Sequence, residues 1–191
     1  KEAAIWMRTL IPNYDSIQYQ DQDWTSSVYG NTHEEFPHNM PPPLGKLVRI
    51  TQYVDANLYF DLLTGRACTG ILIFLNQTPI DWYSKKQSTV ATATFGSEFV
   101  ATKTATEKAY DLRYALRMMG IPLDYRTYMF GDNQAVVIQS SIPHSQLAKR
   151  HNALAYHYTR EAIATGMIIY THLPGTQNPS DCLTKFLGYQ Q

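Results

Sequence analysis

Leu47 to Asp55 reads LVRITQYVD, Thr69 to Leu75 reads TGILIFL and Ile80 to Ser84 reads IDWYS. In the first stretch Val48, Ile50 and Val54 alternate with other residues, the period of a strand with one buried face. The second is a short apolar run rich in Ile and Phe, and the turn-type spacer Asn76-Gln77-Thr78-Pro79 leads into the third. The three predict an antiparallel meander. Between Phe95 and Met119 the period changes: Phe99, Ala105, Ala109, Leu112, Leu116 and Met119 recur at helical spacing with charges between them. That pattern predicts a long amphipathic helix, ended by Gly120 and Pro122.

Downstream, Tyr125 to Gly131 (YRTYMFG) predicts a fourth strand with Asp132 at its exit. Asn133 to Ser140 suits a short helix, and Ser145 to Ala164 a second long one stopped at Gly166. Met167 to Leu173 (MIIYTHL) predicts a fifth strand, and Pro179 to Leu187 a last helix. The order βββ-α-β-α-α-β-α places the chain in the α/β class, with a central five-stranded mixed sheet flanked by helices.

Upstream, residues 1 to 45 carry isolated aromatics (Trp6, Tyr14, Tyr19, Trp24, Tyr29, Phe36), little periodicity and the run Pro41-Pro42-Pro43. They hold six acids against Lys1 and Arg8, a net charge of −4; residues 46 to 191 carry fourteen basic and ten acidic side chains, net +4. Charge and prolines together mark a boundary near Gly45, between an acidic, irregular arm (1–45) and a mildly basic body (46–191). At about 150 residues per domain, 191 residues suit one domain plus this appendage.

With 44% hydrophobic and 17% charged residues the chain has material for a core and lacks the signature of disorder. No apolar run approaches a membrane span, and Lys1 to Pro12 lacks the order of a signal peptide, so membrane and secreted readings drop. Cys68 and Cys182 have no metal-type spacing and form no disulfide framework, which suits a reducing compartment. His144, His151 and His157 are seven and six residues apart and do not repeat on one helix face as a His-x-x-x-His zinc pattern does.

Four acids stand out by context. Asp55 closes the first predicted strand, Glu98 sits in the first turn of the long helix, Asp132 follows the fourth strand, and Asp181 opens the last helix. Each alone reads more readily as a turn former or an N-cap than as a catalytic group. If the first and fourth strands are neighbours, however, Asp55 and Asp132 converge at one sheet end with Glu98 and Asp181 leaning over. Clustered carboxylates repel unless cations neutralise them, and hard oxygen donors suit Mg²⁺ or Mn²⁺. Two such ions would make a two-metal phosphodiester hydrolase site.

The sequence resembles the ribonuclease H domain at the C-terminal end of the polyprotein of Copia-type retrotransposons. The blocks that carry the resemblance are Tyr53-Val54-Asp55-Ala56, Thr64-Gly65-Arg66 with Thr69-Gly70, Trp82 to Thr89 (WYSKKQST), Gly96 to Ala101 (GSEFVA), Gly131-Asp132-Asn133-Gln134, Lys149-Arg150-His151, and Pro179 to Lys185 (PSDCLTK). It implies a ribonuclease H-like fold and metal-binding acids at Asp55, Glu98, Asp132 and Asp181. It also implies Mg²⁺-dependent hydrolysis of the RNA strand of RNA–DNA hybrids during reverse transcription, leaving a 5′ phosphate and a 3′ hydroxyl. On this resemblance the arm looks like the tail of a preceding reverse-transcriptase and connection region. The protein would then work inside the cell, in the cytoplasm (including virus-like particles) or in the nucleus. Many members have Lys-His-Ile-Asp where this chain has Arg150-His151-Asn152-Ala153, and Ala-Asp where it has Ser180-Asp181; neither difference removes a ligand. Cellular relatives often carry a mobile histidine shortly before the last acid. His172 lies nine residues before Asp181, but at a strand end, and is not given that role.

Selection of RNA needs contacts to the 2′-hydroxyl across the minor groove. Asn133 and Gln134 are candidates, with helix-start polarity the other reading. Lys85, Lys86, Lys149, Arg150 and Lys185 are candidate phosphate contacts, or simply a solvated face. Trp82 and Tyr83 could stack on sugars or bases, although one of them in a strand belongs in the core. Three readings compete: a metal-dependent ribonuclease H; an integrase-like strand transferase using Asp55, Asp132 and Glu161; and a non-catalytic nucleic-acid-binding or structural module derived from a retroelement.

Overall fold

The computed structural model describes residue 19, residues 21–147 and residues 152–185. Five strands, β1 (Val48–Asp61), β2 (Arg66–Leu75), β3 (Thr78–Lys86), β4 (Leu123–Gly131) and β5 (Ile168–His172), form one sheet in the order β3-β2-β1-β4-β5. The first three are antiparallel neighbours, while β4 runs parallel to β1 and β5 parallel to β4. The predicted mixed sheet is therefore observed, with β1 at its centre.

Alternation along β1 separates two cores. Ile50, Val54 and Ala56 join the larger one, while Tyr53 packs with Phe74 and Phe130 in a smaller aromatic cluster. Helices α1 (Thr94–Met118), α2 (Gln134–Ser141) and α3 (Ala153–Ala164) all contribute to the larger cluster, so among the described residues they share one face of the sheet. On α1 the residues Ala101, Ala105 and Ala109 have no exposed surface. A stripe of methyl groups at four-residue spacing lets the helix axis lie close to the strands.

Boundaries differ from the sequence reading in instructive ways. Strand β1 does not end at Asp55: residues 56 to 61 continue pairing with β2 as a hairpin, and Asp55 sits inside the strand opposite Gly70. Helix α3 begins at Ala153 rather than Ser145, and residues 145 to 147 are not helical. The last predicted helix is a 3-10 helix, Pro179–Leu183, with Asn178 capping it by accepting from Ser180 N at 3.2 Å. Met119 is exposed, because it is the cap of α1 and not part of its apolar stripe.

The described part of the arm packs against the body. Trp24 and Tyr29 are buried, and both face the guanidinium of Arg160, at 4.8 and 5.5 Å from ring centroid to Cζ. Glu34 accepts from Arg113 at 2.7 and 3.0 Å and also from Arg117. Trp6 and Tyr14 lie outside the described residues. No helix among the described residues is long and apolar enough to cross a membrane.

Candidate active site

Parallel pairing of β1 with β4 sets the geometry. Val54 is in register with Gly131, so Asp55 and Asp132 each occupy the next position along adjacent strands. Strand β4 stops at Gly131, and α2 starts at Gln134, which leaves Asp132 in the bend between them. Glu98 reaches the same place from the second turn of α1, one turn later than expected from sequence. One carboxylate oxygen from each of Asp55, Glu98 and Asp132 lies within 4.8 Å of the others. Asp181, in the 3-10 helix, is outside that triplet but lines the same cleft of about 500 Å³.

Asp55 and Glu98 are almost completely buried, at 4% and 3% exposure. Burial raises the pKa of all three clustered acids, and mutual repulsion adds to it. At Asp55 burial leads, opposed by a hydrogen bond from Thr184 and reinforced by Asp132 and Asp181. At Glu98 burial, Asp55 and Asp132 together push the carboxyl well above the ordinary range, although the Ala56 amide donates to it. At Asp132 burial leads and Asp181 contributes. Lys185, the cation on this cleft, is paired with Asp181 and offsets only part of the repulsion, so three acids held this close form a group that could hold a divalent cation. The all-oxygen donor set fits Mg²⁺ or Mn²⁺ and excludes the softer ligands of a structural zinc site.

The other sequence candidates divide. Asn133, Gln134 and Lys185 line the cleft. Asn133 is also the N-cap of α2, its side chain accepting from Val136 N at 3.3 Å, so its helix-start role is realised. Lys185 pairs with Asp181, one turn back in sequence, and that pairing raises its pKa. Lys85 and Lys86 are exposed at the end of the edge strand β3, but Lys86 is paired with Asp61 at 2.5 Å, and neither lines the cleft. Lys149, Arg150 and His151 lie outside the described residues. Trp82 is exposed while Tyr83 packs against the core. His172 donates or accepts at neither carboxylate; its Nε2 is 3.0 Å from the backbone oxygen of Asp132, which it contacts as a donor. Glu161 lies in a separate cavity with Glu34 and Arg117, and so does not join Asp55 and Asp132.

Sequence reasoning missed the polar residues that seat the 3-10 helix. Asn178 Nδ2 donates to Val54 O at 2.9 Å, Asn57 Nδ2 to Thr184 O at 2.9 Å, and Ser84 Oγ to Leu183 O at 2.6 Å. Gly70 is the local mark of this contact. A Cβ there would meet Thr184 Cγ2 at 2.6 Å and Ser180 O at 2.8 Å, so only glycine allows the segment to approach β2 so closely.

No family model matches the chain. It is 25% identical over 144 residues to the retrovirus-related Pol polyprotein from transposon RE2 of Arabidopsis thaliana, an alignment covering 75% of the chain. It is 26% identical over 134 residues, 70% of the chain, to that from transposon TNT 1-94 of Nicotiana tabacum. The chain spans about a tenth of the length of these relatives, 10% in each case. Among solved structures, RNase H1 from Halobacterium salinarum NRC-1 superimposes with a TM-score of 0.54 at 17% identity, covering 71% of this chain and 93% of that one. LC11-RNase H1, solved in complex with an RNA/DNA hybrid, gives a TM-score of 0.56 at 16% identity over the same shares, 71% and 93%. The fold is ribonuclease H-like, as the sequence resemblance implied, and the resemblance to Copia-type polyproteins is borne out by these relatives.

Proposed function

We propose that the chain is the ribonuclease H domain of a Copia-type retrotransposon polyprotein and hydrolyses the RNA strand of RNA–DNA hybrids with the help of divalent metal ions. The observation that carries this reading is the convergence within 4.8 Å of Asp55 from the middle of β1, Asp132 from the exit of the parallel strand β4 and Glu98 from α1, with Asp181 on the same cleft. The polyprotein relatives and the hybrid bound by LC11-RNase H1 support the substrate class.

Asp55, Glu98 and Asp132 would hold the metal, with Asp181 completing the set from the cleft wall. When bound, two Mg²⁺ or Mn²⁺ ions would supply activation of water and neutralisation of charge on the leaving 3′ oxygen. The chain's own residues do the rest. Burial of Asp55 and Glu98 fixes their carboxylates and excludes bulk water from one side of the cleft. Gln134, exposed on the rim, and Asn133 are placed to meet the sugar edge of a hybrid. Lys185 supplies positive charge beside Asp181, suited to a phosphate. In this reading the segment up to residue 45 is the tail of the preceding reverse-transcriptase and connection region, docked through Trp24, Tyr29 and Glu34.

The test is cleavage of a labelled RNA–DNA hybrid with Mg²⁺. Cutting confined to the RNA strand, abolished by chelation and by Asp132→Asn and retained by Glu161→Gln, supports the proposal. Cutting that survives D132N refutes it. Binding of the hybrid without cutting at any Mg²⁺ or Mn²⁺ concentration would assign the chain instead to the non-catalytic class.

A further inference from the structure

We propose that Thr184 is a positioning residue for Asp55, whose hydroxyl orients that carboxylate for cation binding; this rests on the metal-site reading above and extends it to a residue outside the acidic set. Among the described residues Asp55 has one side-chain hydrogen bond, from Thr184 Oγ1 to Oδ2. Thr184 has no exposed surface, so water does not substitute for it. Its single proton has two acceptors in reach, Asp55 Oδ2 and the carbonyl of Asp181 at 3.1 Å, and the contact to the carboxylate is the charge-assisted one.

The hydroxyl is held in place from several sides. The methyl group of Thr184 fills the notch above Gly70, where a Cβ would collide with it. Its carbonyl is anchored by Asn57 Nδ2, and the preceding carbonyl by Ser84 Oγ. At the other end of the segment Asn178 is tied to the carbonyl of Val54, the residue before Asp55. A donor fixed this firmly on one oxygen sets the torsion of the carboxylate and leaves the second oxygen to a cation. That is how groups behind metal ligands generally act, and their loss weakens metal binding by about 10- to 100-fold.

Calorimetric titration of Mg²⁺ and Mn²⁺ into the full chain tests this, with thermal melts and hybrid cleavage alongside. Thr184→Val keeps the shape and loses the proton; it should weaken metal binding by about 10-fold or more and lower kcat at limiting metal while KM for the hybrid stays put. Thr184→Ser restores the donor and should bind metal nearly as the wild type does. Ser84→Ala loosens the same segment without touching the hydroxyl, and should lower the melting temperature while leaving metal affinity intact. Should T184V be insoluble, Thr184→Cys, a weak donor of similar volume, carries the comparison and should give an intermediate loss. Wild-type metal affinity in T184V or T184C overturns the proposal, as does equal weakening in S84A or in T184S. A wild-type chain that binds no divalent ion overturns the metal-site reading itself and this proposal with it, whereas a wild type that binds metal and cuts while T184V does the same overturns this proposal alone.

Discussion

Replacing Glu98 by Gln should stabilise the metal-free protein. The two most buried acids of the cluster are only 4% and 3% exposed, and the three donor oxygens lie within 4.8 Å. At an effective dielectric constant of about 20, two full charges at that separation repel by roughly 3.5 kcal/mol. The cluster relieves part of this by taking up protons, since burial and mutual repulsion raise the pKa of all three acids. Removing the Glu98 charge should therefore recover about 1 to 3 kcal/mol, on the order of 2 to 4 °C in melting temperature per kcal/mol for a chain of this size. The sign follows from linkage. A carboxyl whose folded pKa is raised stabilises fully below its unfolded value, about 4.3 for Glu, and loses that contribution as pH rises through the folded value. The advantage of E98Q in chelator should thus grow from about pH 4.5 towards neutrality. Metal acts in the opposite sense: Mg²⁺ at 100 times its dissociation constant adds about 2.7 kcal/mol to the wild type, and E98Q should forfeit most of that gain. Melts across pH, with chelator and with Mg²⁺, read both effects. A lower melting temperature for E98Q in chelator, together with an undiminished Mg²⁺ shift, would refute the reasoning.

Glu34→Ala should cost about 3 to 5 kcal/mol, the range for breaking a buried pair, because it leaves the guanidinium of Arg113, 1% exposed, without its carboxylate; urea melts measure this, and a loss under 1 kcal/mol would show that Tyr125 O and Thr127 Oγ1 suffice for Arg113. Burial alone would raise the pKa of Glu34, but hydrogen bonds from Arg117 and Arg113 hold it below the ordinary range. Its contribution is therefore present above about pH 4.3 to 4.5 and disappears as pH falls through the folded value, so the stability gap between wild type and E34A should close in acid. Gly70→Ala forces a Cβ to within 2.6 Å of Thr184 Cγ2, and should cost about 1 to 3 kcal/mol as overpacking does, with weaker Mg²⁺ binding; an unchanged melting temperature would contradict the close approach. Gln52, fully buried and with neither amide atom hydrogen-bonded among the described residues, should gain about 1 kcal/mol on replacement by Leu; a destabilised Q52L would point to an internal water that the amide holds.

Local period and strand-end chemistry made Asp55 and Asp132 legible, since an acid that interrupts or follows an apolar strand has few reasons to be there. The register that brings them together was an inference from neighbouring strands, and the parallel pairing of Val54 with Gly131 supplies it. The end of β1 was misplaced because Asp55 looked like a terminator, although the strand continues through residues 56 to 61 as half of a hairpin. Glu98 had a signal that can be read more strongly than it was: it shares the buried face of α1 with Thr102, Ala105 and Ala109. A charge on an apolar stripe must find a compensating partner or a cation.

What sequence could not disclose is the set of polar ties between distant segments. Glu34 meets Arg113 across 79 residues and Thr184 meets Asp55 across 129, and no periodicity relates such pairs; only the folded chain makes them neighbours. Yet each tie leaves a trace on one side. Arg113 lies on the face of α1 that turns to the core, where an unpaired guanidinium would be prohibitive, so some carboxylate had to come to it. Gly70 stands just before the apolar run Ile71 to Leu75 of β2, an interior strand, where a missing side chain signals another backbone pressed against it. That backbone is the Ser180 to Thr184 segment. The same glycine therefore admits both the wall that carries Asp181 and the hydroxyl that grips Asp55, which joins the last acid of the set to the first through packing as well as through charge.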